Sequence, residues 1–178
     1  MKTNAAILSV ADVDLQEIVD DRNANGGYTP SPTAWEDETL YFLLLDRFSD
    51  GNEETRPRFD PQKHGGNAVK NERAASKWRE SGNTFTGGTL RGLTEKIGYL
   101  QGLGITTLWI SPVLKQAPFA DHDYHGYGTQ NFYEIEPRFG TRDELVTLVK
   151  TAHEHGIKVI LDIIINHCAD CFEYDGDA

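Results

Sequence analysis

Two stretches of the chain concentrate side chains that bind or polarise other groups. The first is His122-Asp123-Tyr124-His125-Gly126-Tyr127-Gly128, which sets imidazoles and phenol rings beside each other on a glycine-hinged segment. Rings on such a loop suit sugar binding, because a pyranose lays its apolar face on an aromatic ring while polar neighbours take its hydroxyls. The alternative is a loop pinned to the core by its tyrosines. A metal reading of His122, Asp123 and His125 is weaker, since they lack the helical H-E-x-x-H arrangement. The second stretch is Asp162-Ile163-Ile164-Ile165-Asn166-His167. In a strand, alternation puts Asp162, Ile164 and Asn166 on one face. A carboxylate inside so apolar a run must be paired or hydrogen-bonded, either as a structural ion pair or to organise a site.

The elements that must position these residues follow from the pattern of apolar runs. Leu40 to Leu45, Ile105 to Ile110 and Ile157 to Ile165 are continuous apolar segments of strand length, which predicts strands buried on both faces. Thr89 caps a predicted helix from Leu90 to Leu100, stopped by Gly102 and Gly104. Thr141 caps another from Arg142 to His155, ended by Gly156. Strand, helix and strand in alternation imply a parallel sheet with right-handed crossovers. Long loops after the strands and tight helix-to-strand joins point to a (β/α) barrel with its site at the carboxyl ends of the strands. An open doubly wound sheet is the alternative, but no strand leads into a G-x-G-x-x-G turn. Residues 49 to 83 form a long polar excursion, with local helix expected around Ala68 to Arg79. Residues 113 to 140 read as another polar loop, and residues 1 to 35 as a helix carrying Leu8, Leu15, Ile18 and Val19 followed by a linker rich in glycine and proline.

Composition narrows the partners. The 178 residues hold 17 Lys and Arg against 28 Asp and Glu, a formal charge of −11, which argues against nucleic acid or an anionic membrane surface. No apolar stretch reaches the roughly 18 to 20 residues of a membrane span. The run Ala5 to Ala11 is short for a secretion signal and passes into acidic residues, which leaves the location open and favours the cytoplasm only slightly. Cys168 and Cys171 form C-x-x-C with no second pair for zinc, read as coincidence or a local disulfide rather than a redox site.

Four segments, in order, carry a resemblance to a known family. Asp162 to His167 resembles the D-x-x-x-N-H region of the alpha-amylase family, glycoside hydrolase family 13. Tyr41 to Asn52 resembles its first strand and D-R-F-x-D-G-N loop. Gly88 to Leu93 with Leu108 to Pro112 is similar to its first helix and second strand, and Tyr124-His125-Gly126-Tyr127 with Phe132-Tyr133 and Phe139-Gly140-Thr141 to its H-G-Y loop. The resemblance spans about residues 36 to 172 and implies an α/β fold, a partial (β/α)8 barrel holding about the first three βα units. It implies a glycoside hydrolase acting on α-glucans by a retaining mechanism. Tyr127 then corresponds to the tyrosine that stacks on the sugar, with His125 beside it. His167 corresponds to a histidine that bonds the same sugar, Asn166 to a calcium (Ca2+) ligand, and Asp162 to a carboxylate that orients an arginine next to the nucleophile. Gly128 departs from a frequent Trp, Asn131 from a frequent Asp, and Glu53-Glu54-Thr55 from the asparagines of a second calcium site.

Retaining hydrolysis needs two carboxyl groups about 5 Å apart. The resemblance places that pair on later strands, beyond Ala178, so no catalytic residue is assigned in this chain. The chain is expected to be the amino-terminal portion of such a domain, inactive by itself and prone to aggregate through open sheet edges. The competing reading is a non-catalytic carbohydrate-binding protein on the same fold.

Overall fold

The structure, a computed structural model, describes residues 14–24, 26–55, 71–120 and 122–169. The chain divides into two compact units, Met1–Trp35 and Glu36–Ala178. In the first, helix α1 (Leu15–Ala24) starts where the Asp14 carboxylate accepts the backbone N–H groups of Gln16 and Glu17, at 2.9 and 3.0 Å. Its expected apolar stripe is not covered: Leu15 and Ile18 are exposed, and Leu8 lies outside the described residues.

In the second unit, β1 (Leu40–Leu43) runs into a one-turn helix, α2 (Leu45–Phe48). Helix α3 (Glu72–Glu80) falls where the polar excursion was expected to turn helical, with residues 68–70 of that expectation outside the described set. Then come α4 (Leu90–Glu95), α5 (Ile97–Gly102), β2 (Thr107–Ile110), β3 (Leu114–Gln116), β4 (Thr129–Ile135), α6 (Arg142–Glu154) and β5 (Lys158–Leu161). Among the described residues, β1, β2 and β5 form a parallel sheet in that order, in the register Phe42, Trp109, Ile160 and Leu43, Ile110, Leu161. Helices connect β1 to β2 and β2 to β5, as parallel strands require.

Both predicted caps form. Thr89 accepts from the Gly92 N–H, and Thr141 and Glu144 make a reciprocal capping box. The single helix expected over Leu90 to Leu100 is broken at Lys96, whose N–H turns back to Leu93 and whose ammonium pairs with Glu53 at 3.0 Å. The polar loop expected over residues 113 to 140 contains the antiparallel hairpin of β3 and β4. Its register shifts on either side of Lys115, which is why no clean alternation marks it.

The core lies between the sheet and the helices. Leu43, Leu108 and Ile110 meet Leu90, Leu93, Ile97, Leu148 and Phe139. Burial on both sheet faces is not what forms: Phe42 and Trp109 stay 42% and 37% exposed on the face opposite Leu108 and Ile110. The third strand also stops at Leu161 rather than Ile165, with Ile163 and Ile165 exposed. Among the described residues no further strand borders β5, so the strand ladder is not continued on that side.

At the amino ends of the strands, Glu38 ties the sheet together. It accepts from the Thr106 and Thr107 hydroxyls at 2.7 Å each and from the Lys158 ammonium at 2.8 Å. The Lys158 bond first, then the two hydroxyls, hold its carboxyl at about 2, below the usual carboxylate range. At the opposite ends Asp46 is buried. It accepts from the Thr86 N–H and hydroxyl at 2.9 Å and the Gly87 N–H at 3.0 Å, and pairs with Arg47 Nε at 2.9 Å.

Candidate functional site

The carboxyl ends of β2 and β5 meet the 122–128 segment, and the contacts there are specific. Asp162 lies one residue beyond β5, its N–H still bonded to the Ile110 carbonyl at 3.2 Å. Being two residues past Ile160, it takes the same sheet face as Trp109. Its Oδ2 accepts from Trp109 Nε1 at 3.2 Å and from the Tyr127 hydroxyl at 2.9 Å. The lone carboxylate of the strand is thus hydrogen-bonded, as its chemistry demands. Burial, then the bond to Asp162 and its negative charge, push the Tyr127 phenol above its ordinary value.

Backbone geometry brings Tyr127 there. A short 3-10 turn, Asp123–His125, ends at Gly126, whose φ is +87°. A Cβ at Gly126 would stand 2.0 Å from the Pro112 carbonyl oxygen, so the turn rests against the end of β2 only because the position is glycine. The Tyr127 N–H donates to His125 Nδ1 at 2.9 Å. That bond requires Nδ1 to be the acceptor, so the proton of the neutral ring sits on Nε2, 3.8 Å from Asp123 Oδ1. His167 Nε2 approaches the Tyr127 carbonyl at 3.2 Å. A carbonyl only accepts, so this nitrogen carries the proton and Nδ1 is left as an acceptor, with Asn166 Nδ2 at a loose 3.5 Å.

The three residues singled out as sugar-binding therefore share one place, with both histidines anchored to the main chain of Tyr127. They line a cavity of about 540 Å³ together with Phe119, Asp123 and Gly128. Asp123 fills the space a side chain at position 128 would take: a Cβ on Gly128 would lie 2.1 Å from Asp123 Oδ2. Any side chain at this position would therefore have to displace Asp123. Outside the cavity, the Arg47 guanidinium lies 3.8 Å from the centroid of the Tyr124 ring, and its Nη2 donates to the Gly82 and Thr84 carbonyls at 2.9 Å each.

Trp109 and Asp123 were not singled out from sequence as site residues. An indole within an otherwise aliphatic strand was a signal for Trp109, but its bond to Asp162 depends on the β2–β5 register. The sequence offers Asp123 only as a weak metal ligand beside His122 and His125, because its burial follows from the turn and from Gly128.

The calcium expectation finds little support in geometry. Asn166 is exposed, and among the described residues no three His, Cys, Asp or Glu side chains converge to hold a metal ion. Calcium takes six to eight oxygen ligands, so the donor set at Asn166 does not fit the ion by itself. Cys168 is exposed and lines the cavity, while Cys171 lies outside the described residues.

A family model described as the alpha amylase catalytic domain matches residues 42–178. The periplasmic alpha-amylase of Escherichia coli is 35% identical over 161 residues, 82% of this chain and 22% of that protein. An alpha-amylase of Streptomyces lividans is 42% identical over 97 residues, 51% of this chain and 11% of its own length. Among solved structures, the Geobacillus thermoleovorans alpha-amylase complexed with acarbose aligns with a TM-score of 0.57 at 33% identity, covering 78% of this chain and 25% of that one. The chain spans about a quarter or less of the length of these relatives. Over most of its residues, the chain belongs to the alpha-amylase family, glycoside hydrolase family 13.

Proposed function

We propose that this chain forms the sugar-gripping part of a retaining alpha-amylase-type glycoside hydrolase that acts on the α-glucosidic bonds of α-glucans, built on about the first three βα units of a (β/α)8 barrel. The observation that carries the reading is the fixed phenol of Tyr127, held through its hydroxyl by Asp162 and through its backbone by His125 and His167. A ring restrained in this way presents its face to a pyranose with little rotamer entropy left to lose.

The two histidines divide the polar work. With Nδ1 occupied, His125 offers its Nε2–H as a donor toward the cavity. With Nε2–H occupied, His167 offers Nδ1 as an acceptor once Asn166 gives up its long contact. One donor and one acceptor beside an aromatic face match the hydroxyls of a glucosyl residue. Asp162 retains Oδ1 for a further donor, in keeping with an arginine supplied from elsewhere.

The bond-breaking pair is assigned outside this chain, so the chain binds glucan without cleaving it. Incubation with soluble starch and measurement of new reducing ends tests this. The expectation is no turnover above buffer, together with saturable retention on immobilised starch that Tyr127→Ala removes. Turnover at the rate of an intact amylase would refute the absence of the carboxylate pair, and retention unchanged by Tyr127→Ala would refute the site.

A further inference from the structure

Asp162 Oδ2 takes two donors, and only one of them belongs to the sugar-facing loop. The other, Trp109 Nε1, comes from the middle of the sheet at 3.2 Å. The indole itself is steadied by the Phe42 ring, edge-on with centroids 5.0 Å apart. A carboxylate on a residue just past a strand end has two free torsions, and a single bond from a loop tyrosine would leave it to swing with that loop. A second donor from a rigid strand removes that freedom. The relay runs from Phe42 packing to Trp109, from Trp109 to Asp162, and from Asp162 to the Tyr127 hydroxyl.

We infer that Trp109 is a positioning residue for the sugar-stacking ring, setting the orientation of Tyr127 through Asp162 without touching the ligand. This rests on the glucan reading given above and adds to it a residue of the strand interior. Burial and the Asp162 charge already raise the Tyr127 phenol pKa, in keeping with a hydroxyl whose proton stays on the Asp162 bond. Phe42 and Trp109 face the same side of the sheet, so an aromatic replacement at 109 preserves packing while deleting the donor.

The test uses the protein at its full native length, with carbon-13 at tyrosine Cζ and nitrogen-15 at the indoles, and maltohexaose as the probe. Trp109→Phe is expected to shift or broaden the Tyr127 Cζ resonance and to weaken maltohexaose binding about two- to tenfold, the range for losing one hydrogen bond. In an Asp162→Asn background the same substitution should add almost nothing, because the relay is already cut. A merely structural role for Trp109 would lower stability without this coupling. Should Trp109→Phe not fold, the link is read with the indole in place: Asp162→Asn must shift the Trp109 Nε1–H resonance and speed its hydrogen exchange. The inference is overturned if the Tyr127 resonance is unmoved by Trp109→Phe, or if the Trp109 indole proton ignores Asp162→Asn. Failure of the glucan reading looks different: Tyr127→Ala leaves maltohexaose affinity unaltered, while with Tyr127 in place Trp109→Phe still shifts its Cζ resonance.

Discussion

Gly128→Ala should disturb the cavity out of proportion to the single methyl added. The new Cβ would stand 2.1 Å from Asp123 Oδ2 and 2.4 Å from its Cγ, whereas ordinary contact begins at 3.4 Å, so the carboxylate must retreat by about 1.3 Å. Asp123 is 8% exposed, and its carboxylate can retreat only into the cavity it lines, which places the cost at the low end for overpacked sites, about 1 kcal/mol. The movement would also carry Oδ1 away from His125 Nε2, now 3.8 Å distant, and change the polar lining of the cavity. Urea unfolding of Gly128→Ala, Asp123→Ala and the double variant provides the assay, with maltohexaose affinity measured alongside. The clash predicts strong coupling: once Asp123 is truncated, the alanine at 128 should cost less than about 0.5 kcal/mol. Equal costs of Gly128→Ala in both backgrounds would show that Asp123 does not dictate the glycine.

Other consequences concern the supports of the site. Asp46→Ala leaves the Thr86 and Gly87 N–H groups and the Arg47 Nε without their acceptor, and chemical denaturation should record a loss of about 1–3 kcal/mol. Glu38, with its carboxyl at about 2 in the folded chain against an ordinary 4.5, contributes stability that is complete above about pH 4.5 and fades as the pH falls toward 2. Glu38→Gln should flatten the acid limb of a stability profile over that window, leaving the part due to Glu53, which is lowered to about 2 chiefly by its bond from Ser49. Thr141→Ala should cost about 1 kcal/mol in thermal or urea unfolding by opening the capping box at the start of α6, and Thr141→Ser should restore most of it.

Local rules explain what could be read from sequence. The T-x-x-E of Thr141 and Glu144 and the glycine stop at Gly156, where φ is +73°, each need only neighbours in the chain. The conspicuous carboxylate of Asp162 followed from a period of two, and the polar groups that meet it were bound to exist. Their identity was not legible, because Trp109 and Tyr127 lie 53 and 35 residues away and arrive through the parallel register and the Gly126 turn. The hairpin of β3 and β4 was hidden for a related reason, its strands being set by an irregular pairing rather than by alternation. Strand lengths were overestimated at Ile163 to Ile165, where apolar composition signals burial that no neighbouring strand supplies among the described residues.

The proposed glucan site can be probed most directly by titrating maltohexaose into the nitrogen-15-labelled chain while sampling the solution for reducing ends. The proposal predicts saturable shifts concentrated at His125, Tyr127 and His167, with the hexasaccharide recovered intact. Shifts scattered elsewhere with those residues silent, or shortening of the oligosaccharide, would contradict it.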